Sequence, residues 1–176
     1  PADAKGLLKS AIRDNDPVVF IEGEMLYNLK GEVPEGEHLV PIGVADVKRA
    51  GKDVTIVSFG KMMKIALGAA EELAKEGIDA EVIDLRTIRP LDHATILKSV
   101  RKTNRLVVVD ENWPVASISS EIAYRVQKDA FDFLDSPVIR VNAADTPLPF
   151  TPTLIDAALP SVERTVKAVK EVMYLV

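Results

Sequence analysis

The chain has 176 residues, 47% hydrophobic and 28% charged, with no cysteine, two histidines and a formal net charge of −5. That length predicts about one domain with a sizeable core, and no apolar run approaches the roughly 18 residues of a membrane span. Lack of cysteine excludes disulfides, thiol nucleophiles and thiolate metal sites and fits a reducing, cytosolic setting, while the acidic balance argues against nucleic acid and for a basic protein partner.

Residues 4–13 predict the last turns of a helix, with Leu7, Leu8, Ala11 and Ile12 on one face and Asp3 as a cap. Turn chemistry in Asp14-Asn15-Asp16-Pro17 leads into Val18-Val19-Phe20-Ile21, which reads as a buried strand. One helix and one strand cannot bury their own apolar surface, so this piece is expected to belong to a different body. Residues 22–41 lack periodicity and carry Gly23, Gly31, Pro34, Gly36 and Pro41, which reads as an interdomain linker. The expected division is a remnant of a preceding domain over 1–21, a linker over 22–42 and a domain over 43–176.

From Gly43 onward strands and helices alternate. Residues 54–58 predict a strand, and Met62, Ile65, Ala66, Ala69 and Leu73 mark an amphipathic helix closed by Gly77. The stretch from Asp79 to Asp92 organises the rest. It holds a central strand over 80–85, two arginines three apart, Pro90, which cannot donate to a ladder, and Asp92 as N-cap of a helix over 93–103. Leu106-Val107-Val108-Val109 is almost wholly apolar, as strands covered on both faces are. A helix over about 117–131, a strand over 138–141 and a Ser161-capped helix over 161–174 with the seam Val162, Val166, Val169 and Met173 complete the pattern. The expected fold is α/β, a three-layer sandwich around a mostly parallel, five-stranded sheet.

No catalytic constellation stands out. Ser58-Phe59-Gly60-Lys61 is a plain turn rather than a phosphate loop, and His93 reads as a surface residue of a first helical turn. Asp110-Glu111-Asn112-Trp113-Pro114 follows the most apolar strand at its C-terminal end, where such sheets place their sites. It reads as a site, or as a polar turn with Trp113 as a hydrophobic lid. Arg86 and Arg89 could clamp an anionic ligand, but pairing with the chain's own carboxylates is the favoured reading. The residues alone describe an α/β domain with no catalytic and no cofactor-binding residues of its own.

Several stretches together resemble a known family. Val57-Ser58-Phe59-Gly60, the string from Glu81 through Leu85-Arg86-Thr87-Ile88-Arg89-Pro90-Leu91-Asp92, Lys102-Thr103-Asn104-Arg105-Leu106-Val107-Val108-Val109 and Phe131-Asp132-Phe133-Leu134-Asp135-Ser136-Pro137 are similar to the transketolase C-terminal domain. More narrowly they resemble the beta subunit of the pyruvate dehydrogenase component of 2-oxo acid dehydrogenase complexes, with residues 3–17 similar to the end of that subunit's pyrimidine-binding domain. Three departures stand out. Val115-Ala116-Ser117-Ile118-Ser119 replaces a glycine-rich run after Trp-Pro, Pro149-Phe150 stands where Pro-Tyr is common, and the family's activating glutamate and active-site histidine lie upstream of Pro1.

The resemblance implies a beta-subunit portion of a heterotetrameric, thiamine diphosphate- and Mg-dependent pyruvate dehydrogenase, contributing assembly and docking and inactive by itself. Alternatives are a branched-chain 2-oxo acid or acetoin dehydrogenase, or a non-catalytic assembly module. It also implies a potassium ion held by Ala11, Ile12, Asp14 and Asp16. Implied partners are an alpha subunit, a second beta subunit met through turns including Arg86, Arg89 and Trp113, and the peripheral subunit-binding domain of the dihydrolipoyl acyltransferase, met by Asp135 and the carboxylate of Val176. Neither nucleic acid nor membrane is implied. The implied location is the bacterial cytoplasm, or an organellar matrix in a eukaryote.

Overall fold

The computed structural model describes residues 1–175. Five strands form one sheet in the order β1-β3-β2-β4-β5. They are β1 (Asp46–Arg49), β2 (Val54–Ser58), β3 (Ala80–Asp84), β4 (Leu106–Val109) and β5 (Ile139–Val141). β2, β3, β4 and β5 run parallel, and β1 closes one edge antiparallel to β3. The middle strand is therefore β2, not β3, which lies one place from the edge. β2, β3 and β4 are buried nearly throughout because helices cover both of their faces.

Alternation along the strands sorts the core into two layers. Val54, Ile56, Val82, Val107 and Val109 point to α2 (Met63–Lys75) and α6 (Val162–Val172), while Val57, Ile83, Leu106 and Val108 point to α3 (His93–Thr103) and α4 (Ile118–Ala130). The chain thus winds outward from β2 in both directions, placing the reversal of strand order between the C-terminal ends of β2 and β4. This is the expected three-layer sandwich.

Local chemistry explains the boundaries. Asp92 caps α3, its Oδ1 accepting from the Thr95 amide at 3.0 Å, and its Oδ2 also accepts from the Ala45 amide, tying the cap to the entry of β1. Ser161 caps α6 through the Arg164 amide at 3.1 Å. The face that α6 buries is Thr165, Ala168, Val169 and Val172, so the expected seam is rotated and its Val162, Val166 and Met173 are only half-buried.

Some expectations fail. The first helix, α1 (Ala2–Arg13), begins at Pro1 with no side-chain cap, and Asp3 lies inside its first turn. Val18-Val19-Phe20-Ile21 forms no strand. Among the described residues no strand pairs with it, and Val19 and Ile21 are 86% and 81% exposed. β1 was not anticipated, nor was α5 (Pro152–Ala158), although Thr151 followed by proline at the first helical position is a start signal. His93 is not a free surface residue, since its Nε2 sits 2.9 Å from Asp129 Oδ2 and ties α3 to α4.

Candidate functional site

The crevice where strand order reverses lies between the C-terminal ends of β2 and β4. There Ser58, fully buried, donates to the Val109 carbonyl at 2.9 Å. Asp110, also fully buried, accepts from the Asn112 amide at 3.0 Å, the Asn112 side chain at 2.8 Å and the Ser119 amide at 3.3 Å. Ser119 joins Ser117 at 2.6 Å and Asn142 at 3.2 Å, while Lys61 pairs with Glu111 across the mouth. Each acceptor is matched by a donor of the same chain, so the cluster holds the β4 and β5 loops together and leaves no convergent group for a ligand. Trp113 is no lid over it. Its ring is more than half exposed and its Nε1 donates to the Thr146 carbonyl at 2.9 Å.

A second buried polar chain lies under α3. Ser99 donates to Glu81 Oε1 at 2.5 Å, and Thr55 meets the hydroxyls of Ser99 and Thr103, each at 2.6 Å. Burial pushes the Glu81 carboxyl up, but Lys102, Ser99 and the Gly51 amide outweigh it and hold the group below its ordinary range. Sequence reasoning overlooked this chain, though Ser99 and Thr103 stand four apart on the helix face that also carries Ile96 and Val100.

The third concentration of charge lies at the end of β3. Arg86 adopts a left-handed backbone, φ 57°, its amide donating to Asp84 Oδ1 at 2.9 Å. Its guanidinium turns back to Asp3 Oδ1 at 2.6 Å and Asp46 Oδ2 at 2.9 Å. Lys48 bridges the same two carboxylates at 2.5 and 2.6 Å. Arg86 is therefore engaged by the chain's own carboxylates and does not act with Arg89, an exposed residue, as an anion clamp. Burial raises Asp3, yet its bonds to Lys48 and Arg86 win and lower it. Asp84, lacking a comparable cation, is pushed up by burial.

The fourth is the turn before β5. Asp135 donates its amide to the Asn104 carbonyl at 2.9 Å, and Asn104 donates its side chain to the Phe133 carbonyl at 2.7 Å. The Asp135 carboxylate is half-exposed, with one oxygen 2.9 Å from Arg105 Nη2. Val176, the other residue expected at this docking surface, lies outside the described residues. Just past α1, Asp14 Oδ1 accepts from the Asp16 amide at 2.9 Å, next in sequence to Ala11 and Ile12 of the last turn. The sequence-predicted residues therefore occupy separate corners and form no single catalytic pocket.

Residues 43–165 match the family model for the transketolase C-terminal domain. The chain belongs to that family. It is 52% identical to the pyruvate dehydrogenase E1 component subunit beta of Rhizobium meliloti (strain 1021), over 98% of this chain and 38% of that one. It is also 52% identical to the mitochondrial E1 subunit beta-1 of Oryza sativa subsp. japonica, over 98% of this chain and 47% of the relative. An acetoin:2,6-dichlorophenolindophenol oxidoreductase subunit beta from Bacillus subtilis (strain 168) is 49% identical over 98% of this chain and 51% of its own length. The chain thus spans about half, or less, of the curated relatives it matches. Among solved structures, a split gene transketolase in an inactive beta4 tetramer aligns with TM-score 0.70 and 30% identity, over 82% of this chain and 46% of its own. The transketolase C-terminal domain here has the sheet and both helical layers complete within residues 46–172.

Proposed function

We propose that this chain is the C-terminal portion of the beta subunit of a thiamine diphosphate-dependent 2-oxo acid dehydrogenase acting on pyruvate. Its own task is subunit assembly and docking to the acyltransferase core. The observation that carries this reading is 52% identity over 98% of the chain to pyruvate dehydrogenase beta subunits. The acetoin-linked relatives, at 49% and 51% identity, keep a second substrate reading in view. Location follows the same reading, cytoplasmic in a bacterium and organellar matrix in a eukaryote.

The residues present do not fit thiamine diphosphate. Glu81 and Asp110 are already bonded by neighbouring donors, and the open groove along α3 presents Lys98, Arg101 and Lys102 with no acidic partner free for the ring. The cofactor and its Mg would be held elsewhere in the assembly, and no step of the reaction is assigned to this chain. Potassium is a different matter, because the last-turn carbonyls of α1 and the Asp14 carboxylate are hard oxygens at a negative helix end. The α subunit and a second β subunit are the assembly partners, with Arg89 and Trp113 as the exposed candidates at the β–β contact.

Docking rests on Asp135. Pro137 restricts Ser136 to extended backbone, and Asn104, accepting from the Asp135 amide and donating to the Phe133 carbonyl, fixes the turn that carries the carboxylate. A basic subunit-binding domain would meet it, steered by the net charge of −5. Calorimetric titration of the assembled tetramer with the purified subunit-binding domain tests this. Asp135→Ala is expected to weaken binding at least roughly tenfold at low salt. Unchanged affinity would reduce Asp135 to a turn residue.

A further inference from the structure

Under α3 a buried charge depends on one exposed cation. The Glu81 side chain is 6% exposed, its Oε1 accepting from the Ser99 hydroxyl at 2.5 Å and its Oε2 from the Gly51 amide at 3.4 Å. Among the described residues the only cation that reaches it is Lys102, whose Nζ pairs with Oε2. Lys102 is itself 46% exposed. A surface lysine thus carries the countercharge of an interior carboxylate. Losing one member of such a pair costs far more than losing an exposed pair.

Lys102 also opens onto a groove of about 550 Å³, lined by α3, by β1 and by the residue just before β1, and within the usual size of a small-molecule site. Ala45 and Val47 give it an apolar strip, and Lys98 and Arg101 bring two more positive charges. Among the described residues neither of these cations is paired with a carboxylate. Arg101 lies 5.4 Å from the centre of the Phe133 ring, a contact that fixes the guanidinium without neutralising it. Uncompensated cations, an apolar strip and an amine in one groove match a small anion that carries a short apolar group.

We infer that Lys102 is an acylation site and that the groove selects acyl phosphates, whose anionic phosphate is bonded directly to the acyl carbonyl. The phosphate rests on Lys98 and Arg101, the acyl chain lies along Ala45 and Val47, and the carbonyl carbon meets Lys102 Nζ. The Nζ–C bond forms as the C–O bond to phosphate breaks. Of the two protons the ammonium sheds, one leaves on the phosphate and the other passes to Glu81. That carboxyl, left without a cation, is kept neutral by burial. The modification erases both charges of the pair at once and slackens α3 where it covers β3. It needs only a donor in solution and is independent of the dehydrogenase reading.

The assembled protein is incubated with acetyl phosphate, and acetylation of each lysine is followed by peptide mass spectrometry. Lys102 is expected to react at least about fivefold faster than Lys64, an exposed lysine of α2 outside the groove, and Arg101→Ala to slow it about threefold. Acetyl-CoA, whose phosphates lie far from its carbonyl, should show no preference for Lys102. Lys102→Gln copies the acylated side chain and is expected to lower Tm by roughly 5 °C or more, against less than about 2 °C for Lys98→Gln. In a Glu81→Gln background, where no buried charge needs a partner, Lys102→Gln should cost less than about 2 °C further. Amide exchange over residues 93–103, faster in Lys102→Gln than in Lys98→Gln, reads the same loosening without the double variant. Lys102 reacting no faster than Lys64, or equally favoured by both donors, would overturn the site. Selective acetylation with unchanged Tm and exchange would overturn the slackening of α3.

Discussion

Arg86 reaches Asp3 across 83 residues of sequence, Nη2 to Oδ1 at 2.6 Å, and so fastens the first turn of α1 to the end of β3. The side chain is only 14% exposed, and its backbone is bent into the left-handed region to make the reach. The relationship couples the segment before residue 43 to the sheet, through a residue whose favoured sequence reading is pairing with the chain's own carboxylates.

Two substitutions separate the ion pair from the backbone that presents it. Arg86→Ala removes the guanidinium but keeps a Cβ at φ 57°, and is expected to cost roughly 2 kcal/mol, between an exposed and a buried pair. Arg86→Gly loses the same pair but relieves the left-handed backbone, and is expected to be about 1 kcal/mol less destabilising than alanine. Urea midpoints of the two variants check this. Equal midpoints would mean that the backbone carries no penalty there.

The same cluster sets an opposed pair of pH responses. Asp3 is lowered below its ordinary 3.8, so its contribution is present above that value and is lost as pH falls through the lower folded value. Asp84 is raised, so the folded state favours its protonated form and loses that advantage as pH climbs through the raised value. Asp84→Asn keeps the acceptor for the Arg86 amide while removing the buried charge. It is expected to unfold at a higher temperature than the native chain at pH 7, with the gap closing below about pH 3, where both are neutral. A gap independent of pH would assign the effect to packing.

Potassium binding at the end of α1 is read out by replacing the ion with a large organic cation. With Asp16 adding a second carboxylate beside Asp14, potassium is expected to slow amide exchange over residues 11–16 of the assembled protein. Asp14→Asn should reduce that protection. Exchange insensitive to the cation would leave the Asp14–Asp16 turn as ordinary turn chemistry.

Self-association is expected to run through the loop that Trp113 crowns. The chain should sediment above monomer mass at tens of micromolar, roughly the range of modest interfaces, and Trp113→Ala should shift it toward monomer. Since Trp113 is more than half exposed and its indole N–H bonds only the Thr146 carbonyl among the described residues, folding stability should change by less than about 1 kcal/mol. A native chain that sediments as monomer would move the contact elsewhere.

What the sequence made legible follows from how local each signal is. Asp92 and Ser161 announce their helices because a cap bonds an amide three residues away. Leu106-Val107-Val108-Val109 announces a covered strand because both of its faces are apolar. β1 hides because Asp46-Val47-Lys48-Arg49 is a short charged edge that only β3 defines. Val18-Val19-Phe20-Ile21 misleads for the converse reason, since an apolar run becomes a strand only where a neighbour supplies the ladder. The corner at Asp135 was visible as a motif, but Gln127 and Tyr174 reach it from α4 and from beyond α6, and no spacing in the chain links them.

The antiparallel edge sets an order of events for the growing polypeptide. Of the strands in this sheet β1 leaves the ribosome first, yet its partner is β3, and the whole of β2 and α2 comes between them. Gly51 lies so close to the Ala80–Glu81 backbone that an added Cβ would stand 2.3 Å away, and this contact too needs β3 in place. The first strand of this sheet is therefore held in waiting, and chains arrested before Ala80 should be cut by protease near Lys48 and Arg49, whereas chains in which Asp92 has cleared the ribosome should resist.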